Sequence, residues 1–232
     1  MFSPPQEIIS QANLPSTSYH ITREGYSVAY DPRTRNPIYV YEKLSSDCLN
    51  GRVSREGCNF KEDKLIPKIF RSTIKDYKGS GYDRGHLACA GNHQDNLKDM
   101  EDTFFLSNMS PQNKNFNRGY WNKLEKHVRD LTKEHKTVEV FTGTLYLPKE
   151  VNGVKIVSYE VIGENNVAVP THFYKIIALN GNPKTTIRAY ILPNENISSN
   201  TPLNVFETTL EKVEKASGVI FFNTFEENND TR

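Results

Sequence analysis

The sequence predicts an α+β fold with a central, mostly antiparallel sheet flanked by helices. A β-hairpin pattern stands near the start of the chain, and a long amphipathic helix follows in the middle. Short apolar segments separated by turn residues dominate the second half. The hairpin and the later segments are expected to supply the sheet, and the helix is expected to pack beside it.

The first predicted elements are the two hairpin strands, 27–31 and 38–42. Each alternates apolar and polar residues, and the segment between them contains two prolines. Residues 95–102 are short and polar, which predicts one or two exposed helical turns. Residues 104–108 are predicted to form a brief buried strand, which Pro111 would end.

The clearest predicted element is a helix over residues 115–135. Its apolar residues recur at spacings of three, four and three and form one stripe: Trp121, Leu124, Val128 and Leu131. Asn117 lies one turn before Trp121, where a side chain can leave the core and face a cleft. Glu125 and Arg129 are four residues apart on this helix and are expected to hold each other in place.

From residue 137 onward the sequence predicts mainly strands. The residues Asn-Gly-Asn-Pro at 180–183 are a strong turn signal between two of them. A last helix is expected over 209–217, with Gly218 suited to stop it. The expected strands are 138–142, 155–162, 167–179 and 186–192.

The 232 residues suffice for one full core, and no linker, repeat or low-complexity tract divides them. We expect a polar N-terminal arm at 1–25, a single domain over 26–224 and a frayed acidic tail at 225–232. No stretch approaches the roughly 18 apolar residues that span a bilayer, so membrane insertion is not expected. The first residues lack a basic or amphipathic leader, and three cysteines are too few for a disulfide scaffold.

Charge is unevenly distributed along the chain. The net charge of +1 does not by itself indicate a nucleic-acid binder. A local basic surface matters more for phosphate binding than the total, although an ordinary solvated helix face has the same composition. Between residues 114 and 133, two acidic residues (Glu125 and Asp130) stand against six basic ones: Lys114, Arg118, Lys123, Lys126, Arg129 and Lys133.

Glycines and side chains that could act in catalysis are concentrated in residues 81–93, with the sequence Gly-Tyr-Asp-Arg-Gly-His-Leu-Ala-Cys-Ala-Gly-Asn-His. Glycines allow tight turns and the close approach of a ligand. Asp83, Arg84 and His86 fall within four residues, as a charge-binding group and a base would in one pocket. This motif alone is a weak indication of function.

Two further motifs follow in a fixed order. Leu-Ser-Asn-x-x-Pro-Gln occupies 106–112, and Asn-x-x-x-Trp-x-x-Leu-Glu occupies 117–125. With Asp-Arg-Gly-His at 83–86, this order resembles the ββα-metal (DNA/RNA non-specific) endonucleases. The runs 159–175 and 190–194 resemble the endonuclease G branch of that family. The resemblance extends over about 27–222 and implies a ββα-metal motif in the active site.

The resemblance implies a sugar-non-specific endonuclease that cuts DNA and RNA and leaves 5′-phosphate ends. Such hydrolysis needs a base for water, a cation near the phosphate, and donors to its oxygens. His86 is expected to be the general base, because histidine titrates near neutral pH. Asn117 is expected to bind Mg²⁺, for which Mn²⁺ could substitute, through its amide oxygen. Glu125 would orient water beside the metal.

Other residues take supporting roles by the same resemblance. Arg84, Arg55 and Arg129 are expected to hold phosphate oxygens, for which the guanidinium fork is suited. Asp83 would anchor the turn or a water at the metal, and Asn108 would contact the substrate or orient the region around His86. The family further implies a homodimer and a mitochondrial location.

Simpler interpretations of these residues remain open. Asn117 could be a helix cap, and a catalytically degenerate nucleic-acid-binding protein of the same fold is the alternative function. His86, Cys89 and His93, with Cys58 distant, could be zinc ligands, although the spacing lacks a paired Cys-x-x-Cys. Cys89 stands where relatives commonly have alanine, so the activity is expected to be sensitive to thiol reagents.

Overall fold

The computed structural model describes residues 17–49, 51, 53–180 and 185–222. Its strands are β1 (Tyr19–Thr22), β2 (Tyr26–Asp31), β3 (Asn36–Leu44), β4 (Asp83–His86), β5 (Met109–Gln112), β6 (Val138–Leu145), β7 (Lys149–Val151), β8 (Val154–Ile156), β9 (Val161–Ile162), β10 (Val167–Ala168), β11 (His172–Leu179), β12 (Thr186–Pro193) and β13 (Glu207–Thr208). Its α-helices are α1 (Ser46–Leu49), α2 (Ile74–Tyr77), α3 (Leu97–Asp102), α4 (Lys114–Phe116), α5 (Asn122–Leu131) and α6 (Leu210–Ser217). Short 3₁₀ turns lie at Lys68–Phe70, Ala90–Asn92, Leu106–Asn108 and Leu203–Phe206.

The main sheet has seven strands within the described ranges, in the order β1-β2-β3-β6-β11-β12-β13. All neighbouring pairs are antiparallel, which confirms the predicted fold class. The predicted hairpin is also confirmed, as β2 and β3. Of the predicted N-terminal arm, 1–25, residues 1–16 lie outside the described residues, and Tyr19–Thr22 pairs with β2 at the edge of the sheet. The predicted tail, 225–232, also lies outside the described residues.

Three predicted strand boundaries differ from the structure. Residues 106–108 form a 3₁₀ turn, and the strand begins at Met109, so the strand predicted over 104–108 is wrong. The segments predicted over 155–162 and 167–179 are each broken into two strands. The second break surrounds Pro170, which has no backbone N–H for a ladder. Of the predicted turn, residues 181–183 lie outside the described residues.

The predicted central helix is a continuous helical segment over 114–131, in which a π-helix, Asn117–Trp121, joins α4 to α5. The predicted end at residue 135 is wrong, because the α-helix ends at Leu131. Phe116 and Trp121 are five residues apart and both fully buried, as an i→i+5 turn allows. The stripe of α5 packs on one face of the sheet, against Phe173 and Ile177.

The other face of the sheet packs against α6 through Tyr174, Ile176 and Val213. The prediction of this last helix is confirmed, and Gly218 follows it in the left-handed conformation with φ 71°. Helix α3 was expected to be exposed, but Met100 is buried in a small cluster with Phe104. Among the described residues, every helix is too short or too polar to cross a lipid bilayer.

Strands β4 and β5 and the helix that follows form a compact ββα unit. Strand β4 pairs antiparallel with β5, and the helical segment begins at Lys114, directly after β5. Gly85 lies so close to Gln112 that an added Cβ would stand 2.0 Å from its side-chain oxygen. A glycine is therefore required there. Because side chains alternate along a strand, Arg84 and His86 project to the same side of β4.

Candidate active site

A cleft of about 570 Å³ opens between β4 and the helical segment 114–131. Most of the site residues predicted from the sequence line it, although they are spread over 75 positions of the chain. Those residues are Arg55, Asp83, Arg84, His86, Asn117, Glu125 and Arg129. The structure thus brings together the predicted base and the predicted metal ligand, together with several cationic groups.

The imidazole of His86 is half-buried beside two aromatic rings. Its centroid lies 5.7 Å from that of Phe60 and 4.9 Å from that of Phe104, the latter edge to face. Nε2 is buried without a hydrogen-bond partner among the described residues, so Nδ1 is the ring nitrogen left for the cleft. Burial, to which the positive charge of Arg55 adds, lowers the pKa of His86 to about 3. The ring is therefore neutral at physiological pH.

Asp83 organises the helical side of the cleft. Its Oδ2 accepts hydrogen bonds from Nδ2 of Asn117 at 3.0 Å and from Nε of Arg118 at 2.8 Å. Its Oδ1 accepts from a second guanidinium nitrogen of Arg118 at 2.9 Å. Burial by itself raises the pKa of Asp83, but the hydrogen bonds from Arg118 and Asn117 outweigh it and hold the pKa below its usual value.

The contact with Asp83 fixes which way the Asn117 amide points. An ionised carboxylate is only an acceptor, so the atom of Asn117 that faces it must be the NH₂ group. Oδ1 of Asn117 is then directed away from Asp83 and accepts no hydrogen bond among the described residues. A free amide oxygen in an open, water-accessible cleft is the kind of ligand that Mg²⁺ takes when it keeps several waters. The residues present therefore fit such an ion.

Glu125 and Arg129 line the inner part of the cleft, with Cys89 between them. The Cys89 thiol donates to Oε2 of Glu125 at 3.2 Å, and Arg129 donates to Sγ of Cys89 at 3.4 Å and to Asn92 at 3.1 Å. The predicted direct pairing of Glu125 with Arg129 is therefore wrong, because the thiol separates them. Burial raises the pKa of Glu125, and nearby Lys175 is the largest counteracting influence.

Asn108 lies in the interior with no exposed surface. Its Oδ1 accepts from the backbone N–H of Ala88, and its NH₂ donates to the carbonyls of Ala88 and Thr103. The expected contact of Asn108 with substrate is therefore wrong, because the side chain is enclosed and its hydrogen bonds are used. These bonds instead brace the chain two residues beyond His86.

The remaining predicted residues supply positive charge at the mouth of the cleft. The guanidinium of Arg84 lies 4.2 Å from the centre of the Phe60 ring, and that of Arg55 lies 5.5 Å from the centre of the Phe104 ring. Arg55 is exposed, and Arg84 is half-buried. Aromatic rings thus support both the base and two arginines, which leaves the guanidinium edges free for an anion.

The zinc alternative finds no support in the described residues. They contain no cluster of three or more histidine, cysteine or acidic side chains arranged to hold a metal. His93 is buried, and its Nε2 lies 3.1 Å from Oε1 of Glu42, in the interior behind the cleft. It is thus engaged with a carboxylate and does not join His86 and Cys89.

Known proteins resemble this chain over nearly its whole length. A family model described as DNA/RNA non-specific endonuclease matches residues 4–228. The chain belongs to this endonuclease family. It is therefore a nuclease, an enzyme that hydrolyses nucleic acid.

Individual members of the endonuclease family match over most of the chain. Mitochondrial endonuclease G of Homo sapiens is 43% identical over 92% of this chain and 72% of that protein. Nuclease C1 of Cunninghamella echinulata var. echinulata is 47% identical over 95% of this chain and 89% of that protein. A crystal structure of the EndoG/EndoGI complex matches with a TM-score of 0.87 and 45% identity, covering 92% of this chain and 89% of that one. The ββα-metal nuclease fold is thus shared.

Three contributors to the endonuclease cleft were not anticipated from the sequence. Arg118 was counted only as part of a basic helix face, yet it forms a bidentate contact with Asp83. Its position directly after Asn117 in the sequence could have indicated that it lies at the cleft. Phe60 and Phe104 support the cleft through their rings, and their sequence positions carry no such signal.

The position of Cys89 predicts slow inhibition by thiol reagents. Burial, with the charge of Glu125, raises the pKa of this thiol well above its usual value. Iodoacetamide should therefore inactivate the nuclease slowly at neutral pH and faster as the pH rises. Cys89→Ala should stay active in the reagent, and Cys58→Ala should remain sensitive. Residual activity against time of treatment is the measurement, and equal inactivation of Cys89→Ala would contradict the prediction.

Proposed function

We propose that this nuclease is a Mg²⁺-dependent, sugar-non-specific endonuclease that hydrolyses DNA and RNA and leaves 5′-phosphate ends. The observation that carries the proposal is the presence of His86 and Asn117 in one cleft, with a neutral imidazole and an unengaged amide oxygen. Weak sequence preference follows, because the surrounding side chains are suited to phosphates and not to base edges.

His86 takes a proton from the attacking water. For Nδ1 to accept that proton, the neutral ring carries its hydrogen on Nε2. A phosphate bound in the cleft adds negative charge beside the ring, which raises the pKa of His86 from its low value in the free protein. The rings of Phe60 and Phe104 hold the imidazole in place during the transfer.

The other side chains bind and orient. Asn117 would hold Mg²⁺, or Mn²⁺ as a substitute, through Oδ1, and such an ion would supply positive charge to offset that on the phosphate and the departing 3′ oxygen. Asp83 fixes the Asn117 amide. Arg84 and Arg55 hold the non-bridging phosphate oxygens.

Glu125, Arg129 and Cys89 form the inner wall. Ionised Glu125 orients water in the cleft, and Arg129 adds a positive charge that faces the phosphate. Arg118 neutralises Asp83, so that this carboxylate does not repel the substrate backbone.

Cleavage of a supercoiled plasmid tests the proposal. The protein should convert it to nicked and then linear forms in Mg²⁺ or Mn²⁺, and EDTA should abolish the reaction. Fragments should be ligated without prior kinase treatment, because their 5′ ends carry phosphate. A single-stranded RNA of the same length should also be cut. Cleavage that persists in EDTA, or ends that require phosphorylation, would refute the metal role or the product assignment.

The alternative of a degenerate, purely binding protein is less well supported. A lost site would usually lack one of its chemical groups, whereas His86, Asn117, Glu125 and Arg84 all line the cleft. A gel-shift experiment in Mg²⁺ separates the two possibilities. Binding without any cleavage would favour the degenerate protein.

We also propose a homodimer with two independent clefts, as the resemblance to the endonuclease family implies. We propose a mitochondrial location because the human, mouse and yeast relatives are named mitochondrial nucleases. A single nuclease domain accounts for the described residues, of which 19–22 belong to the main sheet. Light scattering should give twice the chain mass of 26.6 kDa. A monomer mass would exclude the dimer without affecting the cleavage proposal.

A further inference from the structure

The sheet face beneath helix α5 carries charged residues among apolar ones. Along β11, Phe173, Lys175 and Ile177 project to this face, because successive side chains of a strand alternate. Lys175 is only 2% exposed. A lysine is almost never buried so completely unless other charges compensate it, and an apolar residue would fill the position at lower cost. The charge of Lys175 therefore calls for a functional explanation.

Around the Lys175 ammonium group lie a hydroxyl group and an aromatic ring. Nζ donates to Oγ1 of Thr142 on the neighbouring strand β6 at 2.6 Å and lies 4.8 Å from the centre of the Trp121 ring. Burial lowers the pKa of Lys175, and the carboxylates of Glu42 and Glu125 counteract that effect. Glu42 belongs to β3 and Glu125 to α5, so Lys175 lies in the electrostatic field of acids from two different elements.

Glu125 faces charged or titratable groups on every element packed around it. Lys175 projects from β11, Cys89 from the segment after β4, Arg129 from one turn further along α5, and Glu42 from β3. The cluster therefore holds two carboxyl groups, one lysine and one arginine. Its charges balance only when Lys175 is included.

Glu42 is the fixed member of this cluster. Its Oε1 accepts from Nδ2 of Asn92 at 2.9 Å and contacts Nε2 of His93 at 3.1 Å. Asn92 in turn accepts from Arg129 through its Oδ1. The hydrogen bonds therefore link the buried carboxylate behind the cleft to a residue that lines it.

We propose that Lys175 is a positioning residue for the nuclease reaction, whose buried positive charge keeps Glu125 ionised and in place behind the cleft. The inference rests on the proposed function, in which ionised Glu125 orients water. Without this cation, two buried carboxylates would share Arg129 as their counter-charge. In an interior of low polarisability, like charges favour protonation of one acid, and Glu125 would then lose its role.

Lys175→Met tests the inference, because methionine keeps most of the volume and removes the charge. Glu125 must be deprotonated to act, and loss of Lys175 raises its pKa. The acid limb of the kcat/KM profile should therefore move to higher pH by about one unit or more. Activity should approach the wild-type value at high pH. A purely structural role would instead lower activity equally at every pH.

Two further variants make the test specific. Glu42→Gln removes the competing carboxylate and should move the acid limb to lower pH, and the double variant should lie between the two single ones. Lys215→Met removes an exposed charge on α6, far from the cluster, and should leave the profile unchanged. A shift in Lys215→Met equal to that in Lys175→Met would overturn the inference.

Thermal unfolding gives an independent readout. Ionised Glu125 without its counter-charge destabilises the folded protein, and protonated Glu125 does not. The difference in Tm between wild type and Lys175→Met should therefore grow as the pH rises from 5 to 9. A constant difference would refute the charge role. If the wild type itself failed to cleave in Mg²⁺, the proposed function would fall, and the Tm series would still decide the ionisation of Glu125.

Discussion

Replacing His86 with alanine should slow phosphodiester cleavage by about 10³-fold, which is typical of the loss of a general base. The side chain removed is the neutral imidazole that faces the cleft. The fold should survive, because Nε2 of the imidazole has no hydrogen-bond partner among the described residues. Initial rates on plasmid and on RNA, at saturating Mg²⁺, are the measurement.

A second histidine variant controls for any general effect of replacing a histidine with alanine. His20 lies exposed on β1, at the far edge of the main sheet, so His20→Ala should cleave at the wild-type rate. His86→Ala should still bind Mg²⁺ and nucleic acid, since Asn117 and the arginines remain. A His86→Ala protein that kept more than about a tenth of the activity would rule out this residue as the base.

Replacing Asn117 with alanine should reduce cleavage by roughly 10² to 10³-fold and weaken its dependence on Mg²⁺. Loss of a metal's charge stabilisation is worth several kcal/mol, and each 1.36 kcal/mol is tenfold in rate. The affected atom is Oδ1, which the contact with Asp83 leaves free. Activity across a Mg²⁺ titration, together with calorimetric Mg²⁺ binding, measures the effect.

Two other variants separate the metal role from a purely structural role of Asn117. Asn115→Ala removes an exposed asparagine two residues earlier on the same helical segment and should change neither activity nor Mg²⁺ affinity. Asp83→Asn frees the Asn117 amide to rotate, so the Mg²⁺ concentration for half-maximal rate should rise. Asn113 already caps this helical segment, because its Oδ1 accepts from the backbone N–H groups of Asn115 and Phe116, so the cap interpretation of Asn117 is wrong. If Asn117→Ala lowered Tm but left the Mg²⁺ titration unchanged, the residue would only hold Asp83 in place and would not be a ligand.

Local patterns carried most of the fold prediction. The hairpin alternation in β2 and β3 and the stripe of Trp121, Leu124, Val128 and Leu131 each depend on residues near in sequence, and the structure confirms them. The stripe could not reveal the π-turn, because the apolar residues it uses lie at or after Trp121. The five-residue spacing of the aromatic residues Phe116 and Trp121, both of which prove to be buried, was the available sign.

Prediction was weaker where tertiary contacts decide the outcome. Phe104, Phe105 and Leu106 form an apolar run that suggests a strand. The bonds of the Asn108 side chain to Ala88 and Thr103 instead hold residues 106–108 in a 3₁₀ turn. Cys89 enters between Glu125 and Arg129 from a distant segment, which no helix spacing can show. The order of the motifs identified residues that line the cleft. It could not show which of their polar groups contact one another.

The protein has one tryptophan, and its ring lies next to Lys175 of the buried charge cluster. Trp121 has no exposed surface, packs against Phe116 and Phe173, and has the Lys175 ammonium group over its ring. Its fluorescence therefore comes from a single site, and a nearby cation alters the emission of an indole. Ultraviolet excitation of the unlabelled protein gives a direct optical signal from the layer beneath the cleft.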